Sequence, residues 1–304
     1  MIKTSVVLVR VLVLVLVLAS ITSLPLIAYT IKSQFVEVEI RSLDGLMNLF
    51  KKHHYTSNDW KNGNREVPRL TFEGVSEQWK ETSSKIPVKQ KKQVFFRLMA
   101  PLVLLSNENI LAERNIVTSA PLSSKALLNI AIKYRLLNNE TLTLTEKQRQ
   151  KLLQQVDIMP PSLALAQAAE ESGWATSRFT EEGNAFFGQW DFSGKGMTPK
   201  QQRKELGNYG LARFDTPLDS VEGYMLNINT TGAYKKLRVL RAKLRQENKT
   251  ITGLELAGTL DKYSERGQAY IDGLRSMIRY NKLEDVDEAY LSNTVLIKLV
   301  SPKT

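Results

Sequence analysis

The stretch PPSLALAQAAEESGWATSRFTEEGNAFFGQWDF, residues 160–192, decides the reading of this chain. Leu163, Ala164, Leu165, Ala166, Ala168 and Ala169 cover nearly the whole circumference of a helix, the pattern of one enclosed by its own domain. Ser162, after Pro161, serves as its N-cap, and Gly173 supplies a left-handed stop. Glu170 and Glu171 come just before that stop. Carboxylates at the negative end of a helix dipole, against apolar surface, are disfavoured as anions, so both effects raise a carboxyl pKa. A carboxyl held protonated near neutral pH is what a general acid requires. Neighbours diverge by about 100° around a helix axis, so one glutamate faces a cleft while the other faces solvent. The plainer alternative leaves both exposed, with Trp174 as a core anchor.

Trp174, Asn184, Phe186, Phe187, Gln189, Trp190 and Tyr209 gather around this helix in sequence. Flat rings stack on the apolar faces of sugars and amides hydrogen-bond their hydroxyl and N-acetyl groups, so such a collection suits a carbohydrate cleft. Packing alone is the competing explanation for any one of these residues.

Upstream, Val94, Leu98, Leu102 and Leu105 recur three or four apart within residues 89–117, and Pro101 marks a kink or division of that helix. Residues 122–137 repeat the pattern. Thr143 and Thr145 each precede a Glu or Gln by three residues, overlapping capping boxes ahead of the helix EKQRQKLLQQV. Strand signals concentrate between about residues 186 and 214. Downstream, YKKLRVLRAKLRQENK puts Leu237, Leu240 and Leu244 on one stripe, with Lys235, Lys236, Arg238, Arg241, Lys243 and Arg245 on the remaining, solvated surface. The expected fold is mostly α.

Across 304 residues, 42 Lys+Arg against 31 Asp+Glu leave a net charge of +11, which suits an anionic partner. There is no cysteine, so disulfides, thiolate metal sites and a cysteine nucleophile are excluded. Only two histidines occur, His53 and His54, too few for a three-histidine metal site; with Trp60 they read as surface or packing residues. Residues 11–29, VLVLVLVLASITSLPLIAY, carry no charge and follow Lys3 and Arg10. As a helix they span about 28 Å, close to a bilayer's hydrocarbon core. Each small-residue cut site there has Leu or Ile at −3, so an uncleaved signal anchor is favoured over a cleaved signal peptide. The basic start would keep the N-terminus inside and export the rest, which removes nucleic acid as the anionic partner.

AQAAEESGWATSRF followed by GNAFFGQW resembles the glucosaminidase domain of glycoside hydrolase family seventy-three (mannosyl-glycoprotein endo-beta-N-acetylglucosaminidase-like), in its bacterial bax-type branch. VKQKKQVFFRLMAPLV, ILAER, RFDTPLDSVEGYMLNINTTGAYKKLRVLRA and YSERGQAYIDGLRSMIRYNKL extend the resemblance over about residues 65–285. It implies a lysozyme-like helical domain with a small β-hairpin lobe across a groove, and cleavage of the β-1,4 bond after N-acetylglucosamine in peptidoglycan. It implies Glu171 as the acid, directly before Ser-Gly-Trp, with Glu170 at a position that is usually apolar. Tyr263 matches the family's tyrosine beside the cleft. Glu205, before the turn signal Gly207-Asn208, is the candidate second carboxylate, ahead of Asp191 and Asp215. Trp174, Asn184, Phe187, Gln189, Trp190 and Tyr209 are the expected sugar-binding residues, and no metal or organic cofactor is called for.

The expected organisation is a signal anchor or signal peptide (1–30), a stalk or irregular lead-in (31–75), a helical region packed on the catalytic domain (76–142), a glucosaminidase-like domain (143–285) and a tail (286–304). The expected partners are peptidoglycan glycan strands and, through residues 11–29, the membrane. The expected location is the bacterial envelope, anchored in the inner membrane with the catalytic domain in the periplasm, or secreted if the leader is cut. Two other functions fit the same residues: a lytic transglycosylase or muramidase-like enzyme, and a non-catalytic peptidoglycan-binding scaffold.

Overall fold

The computed structural model describes residues 35–302 apart from 77, 200–206 and 208, so the leader at 11–29 and Glu205 lie outside the described residues. Along the chain run β1 (Phe35–Glu39), α1 (Leu43–Lys52), α2 (Ser57–Lys61), β2 (Glu66–Val67), β3 (Leu70–Phe72), α3 (Trp79–Lys85), α4 (Val88–Ser119) and α5 (Lys125–Lys133). Then follow α6 (Glu146–Gln155), α7 (Pro161–Ser172), α8 (Arg178–Gly183), β4 (Trp190–Asp191), β5 (Gly210–Leu211), α9 (Pro217–Thr230), α10 (Lys235–Gln246), α11 (Gly253–Ala257), α12 (Gln268–Tyr280), β6 (Tyr290–Leu291) and β7 (Leu296–Val300). Single 3-10 turns occupy Gly232–Tyr234 and Glu284–Glu288. The fold is mostly α with small sheets, as the sequence leads one to expect.

The expected lead-in and tail are corrected by the structure: both are folded, and they pair with one another. β7 is the central strand of a sheet ordered β1-β7-β3, parallel to both neighbours, with Phe35 opposite Leu296 and Phe72 opposite Leu299. Leu70, Phe72, Ile297 and Leu299 turn their side chains into the core, while Lys298 points out to an ion pair with Glu73. β2 pairs with β6 in the same parallel sense. A five-residue strand has little local signature, and its partners lie nearly a whole chain length away, so only the tertiary fold reveals it.

α4 is continuous over 32 residues, without the division expected at Pro101. Phe95, Met99, Leu102, Val103 and Ile110 bury along it. Among the described residues it is the one helix long and apolar enough to cross a membrane, but 67% of its apolar window is buried inside the protein, as befits a core helix. Asn107 on α4 grips the chain ahead of α7: its Nδ2 donates to the Met159 carbonyl and its Oδ1 accepts from the Met159 N–H.

α7 is buried from Pro161 to Ala169, and α4, α11 and α12 pack around it. Its N-terminus is capped differently from expectation. Pro160 occupies the cap position and Ser162 lies inside the helix; Asp287, from the second 3-10 turn, accepts from Ser162 N (2.8 Å), Ser162 Oγ (2.7 Å) and Gly253 N (3.1 Å). A carboxylate satisfies these amides at the positive end of the helix dipole. Ahead of α6, Thr145 rather than Thr143 forms the capping box, with Gln148.

The basic face of α10 is also corrected. Arg238 and Arg241 are buried; the Arg241 guanidinium donates to the carbonyls of Gln154, Gln155, Asp157 and Ile158 and to Asn229 Oδ1. The buried Asp157 carboxylate also meets Arg245 at 2.5 Å and Arg114 at 3.5 Å. Burial pushes its pKa up, but the Arg245 hydrogen bonds and the charges of Arg241 and Arg114 outweigh that and hold it below the usual range. A guanidinium can enter a core when enough carbonyls surround it, something hydrophobic periodicity does not register.

Truncation of the β7 residue Leu299 to Ala is expected to destabilise the whole fold by about 2–4 kcal/mol in denaturant melts. A disordered tail would leave the melt unmoved.

Candidate active site

α7 ends at Ser172, and Gly173 closes it at φ 58°, as expected. Trp174 and Ala175 then continue in the left-handed region, both at φ 62°. L-residues adopt that conformation at a cost of roughly 1–2 kcal/mol each, so two in a row after the glycine need fixed partners. Ser172 Oγ accepts from Ala175 N, Ala169 O accepts from Trp174 N, and Trp174 O accepts from the Trp79 indole N–H. The Trp174 ring lies edge-on to Phe95 and Phe96 of α4, with Lys92 Nζ 5.0 Å from its centre. Trp174 is therefore a packing anchor that sets the end of α7.

The two glutamates separate as the helix angle requires. Glu170 is exposed and pairs with Arg266 at 2.6 Å. Glu171 points inward: its Oε1 accepts from the Tyr270 hydroxyl at 2.8 Å. Its Oε2 faces Gly188, where φ is +61° and a methyl group on Cα would stand 3.3 Å from that oxygen. Glycine at 188 thus relieves the backbone and leaves Oε2 uncovered. Burial raises the Glu171 pKa, with the charge of Glu170 adding to it, against the opposing pull of the Tyr270 hydrogen bond and of Arg266.

A cage of aromatic side chains surrounds the carboxyl. Tyr270 stacks on Tyr263 (centroids 5.5 Å, 6° between planes), and Tyr263 leans on Tyr234. The Tyr263 hydroxyl donates to the Phe187 carbonyl, holding the segment that carries Gly188. The Phe187 ring is buried, stacked on Tyr224 at 4.0 Å, so it forms the wall of the cage rather than a sugar surface. Beneath them Gln167 Oε1 accepts from the Tyr224 hydroxyl at 2.6 Å, and Gln167 Nε2 donates to the Tyr270 oxygen at 3.2 Å.

Beyond Gly188 lies the expected hairpin lobe. β4 and β5 pair antiparallel, Trp190 opposite Leu211, and Met197 bridges to Leu211. Trp190 is 51% exposed, flanked by Tyr209 at 4.7 Å and by the exposed Phe192 at 6.0 Å, both within 23° of parallel. Trp190 and Phe192 form an open aromatic ledge, with Tyr209 buried behind them. Gln189 Oε1 is buried and has no hydrogen-bond partner among the described residues. Asn184, left-handed at φ 50°, donates to the Phe214 and Asp215 carbonyls, so its amide ties the base of the lobe instead of facing a ligand. Asp191 closes an exposed turn onto Ser193, and Asp215 is exposed. Among the described residues no group of three or more His, Cys, Asp or Glu side chains is arranged to hold a metal.

Gln167, Tyr224, Tyr234 and Tyr270 are site residues that sequence reasoning missed. Gln167 left one signal: it is a lone amide in an apolar helix, four residues before Glu171 and hence on the same face. Tyr224 left none, since a tyrosine on an amphipathic helix reads as core.

An inward-turned acid at the end of α7, stacked tyrosines around it and a hairpin lobe with exposed aromatics define a mostly helical glycan-type site. Comparison with known proteins agrees. A family model, Glucosaminidase, described as mannosyl-glycoprotein endo-beta-N-acetylglucosaminidase, matches residues 146–283. The chain is 31% identical over 200 residues to Protein bax of Escherichia coli (strain K12), covering 63% of this chain and 70% of that protein. No solved structure matches. The chain belongs to the bax-type family of glucosaminidase-domain proteins.

Because the Glu171 pKa is raised in the folded state, its contribution to stability is complete below the unfolded carboxyl value and is lost as pH rises through the folded one. Glu171→Gln removes that loss. The variant is expected to melt higher than the wild type at alkaline pH, with the difference closing in acid; calorimetry across pH checks this.

Proposed function

We propose that this protein is a peptidoglycan hydrolase of the bacterial envelope, an endo-β-N-acetylglucosaminidase in which Glu171 is the general acid. The observation that carries this reading is the inward, desolvated Glu171 carboxyl at the end of α7, with one oxygen bonded to Tyr270 and the other uncovered beneath Gly188. With its pKa raised by burial, the protonated carboxyl would deliver its proton to the glycosidic oxygen as the bond to the sugar's anomeric carbon breaks and the electron pair moves to oxygen. The oxocarbenium-like charge then develops beside the carboxylate left behind.

Sugar rings would lie along the exposed rings of Phe192 and Trp190, with Tyr209 supporting Trp190 from behind. Tyr263 acts by holding the Phe187 carbonyl, and with it Gly188, above the acid. Glu205 remains the proposed second carboxylate. In sequence it falls between Met197 and Leu211, the residues bridged across the lobe. Peptidoglycan strands, with their anionic stems, suit a chain of net charge +11, and residues 11–29 would anchor it in the membrane or direct its secretion.

The test is zymography on cell wall with mass spectrometry of the products, for the wild type, Glu170→Gln, Glu171→Gln and Glu205→Gln. Reducing N-acetylglucosamine ends, a loss of at least about a thousandfold in Glu171→Gln and near-normal rates in Glu170→Gln are expected. Anhydromuramic ends would assign a lytic transglycosylase instead. Binding without cleavage by the wild type would assign a scaffold. Undiminished cleavage by Glu205→Gln would remove that residue from the reaction.

A further inference from the structure

We propose that Tyr224, Gln167 and Tyr270 form a one-way hydrogen-bond chain that confines the acidic proton of Glu171 to Oε2, the oxygen beneath Gly188. Tyr224 and Gln167 are then positioning residues for an acid that neither of them is hydrogen-bonded to. The inference rests on Glu171 being the general acid.

The direction of the chain follows from counting donors. Tyr224 is fully buried, and among the described residues its hydroxyl has one hydrogen-bond acceptor, Gln167 Oε1 at 2.6 Å. That bond decides which end of the Gln167 amide faces Tyr224. Turning the amide over would set its N–H₂ against the hydroxyl and leave the hydroxyl proton of Tyr224 buried without an acceptor, an expensive arrangement. With Oε1 committed, Gln167 Nε2 must face the Tyr270 oxygen, and it donates there at 3.2 Å. Tyr270 has one proton. Since its oxygen already accepts from Gln167, that proton goes to Glu171 Oε1 at 2.8 Å.

The consequence falls on the carboxyl. A proton on Oε1 would meet the Tyr270 proton head-on, so the neutral acid carries it on Oε2. Oε2 is the oxygen left uncovered by the bare Cα of Gly188. The chain therefore presents the labile proton to the side from which a sugar oxygen can reach it, and Oε1 keeps an acceptor role in both protonation states. When the proton leaves Oε2, negative charge grows on a carboxylate already bonded to Tyr270, and charge-assisted bonds are stronger than neutral ones. Nothing in the carboxyl has to rotate during the transfer.

The groups facing Glu171 allow its titration to be read cleanly. They are Tyr224 of α9, Tyr234 of the first 3-10 turn, Tyr263 and Arg266 of the loop before α12, Tyr270 of α12, and Glu170 beside it. Burial raises all four tyrosines, which stay neutral, while Arg266 and Glu170 neutralise one another at the surface.

The experiment is the pH profile of kcat/KM on purified peptidoglycan, with the Glu171 carboxyl followed by carbon NMR and identified by its absence in Glu171→Gln. In Tyr270→Phe the carboxylate loses its donor, so the alkaline limb and the NMR titration should both move up by roughly one pH unit, with kcat down at least about tenfold. In Tyr224→Phe the freed Gln167 carbonyl can turn to accept the Tyr270 proton, so the same upward shift is expected from a residue not bonded to the acid. The double variant should go no further than Tyr270→Phe alone. In the wild type, whatever the variants' stability, Gln167 amide protons should show NOEs to the Tyr270 ring in preference to the Tyr224 ring. Reversed NOEs, or an alkaline limb unmoved in Tyr224→Phe, overturn the chain even if Glu171→Gln is inactive. An active Glu171→Gln overturns the acid itself.

Discussion

A carboxyl group at the end of a helix with no exposed face is the constraint to which the rest of this structure answers. α7 is built from leucine and alanine so that α4, α11 and α12 can close on it from different sides. Closing on it dries the interior, and a dry interior opposes ionisation of Glu171. Three contacts fix the helix and its acid in place. Asp287 holds the N-terminus, the left-handed run from Gly173 to Ala175 fixes the C-terminus, and Tyr270 takes up one carboxyl oxygen. Glu170, one residue earlier, is rotated out to an ion pair with Arg266.

Holding α7 in place is a task distributed over the whole chain. Asn107 of α4 grips Met159 just ahead of it, while Asp157 and Arg241 weld the preceding loop to α10. The Asp157 cluster puts three arginines around one buried carboxylate and balances them with backbone carbonyls. Breaking such a cluster leaves an uncompensated charge, so its worth lies in fixing one arrangement of the loop more than in net stability. The parallel sheet of β1, β7 and β3 ties the start of the described chain to its end. Family similarity from residue 146 to 283 thus falls on a unit whose flanking segments complete its core.

Helices α4, α5, α6, α7 and α10 were legible from periodicity, as were the Thr145 capping box and the Gly173 stop, because each is a local arrangement of a few consecutive residues. The hairpin lobe was legible from clustered strand signals. Arg241 shows where that reading fails: a charged residue on an amphipathic helix reads as solvated, and only the carbonyls that several distant residues bring to it explain its burial. Phe187, Trp174 and Asn184 fail for the opposite reason. They have the chemistry to bind a sugar, yet Tyr224, the α4 aromatics and the Phe214 carbonyl engage them first.

By itself, then, the sequence determined a buried helix, a pair of acids at its end and a lobe of aromatic residues, since composition and spacing along one segment suffice for these. The tertiary structure alone decided which acid turns inward, which tyrosine meets it and that Gln167 and Tyr224 stand behind that tyrosine. The hydrogen-bonded pairs lie 57 to 103 positions apart. Hydrogen-bond direction depends on where donors and acceptors end up in space, and no local pattern encodes that.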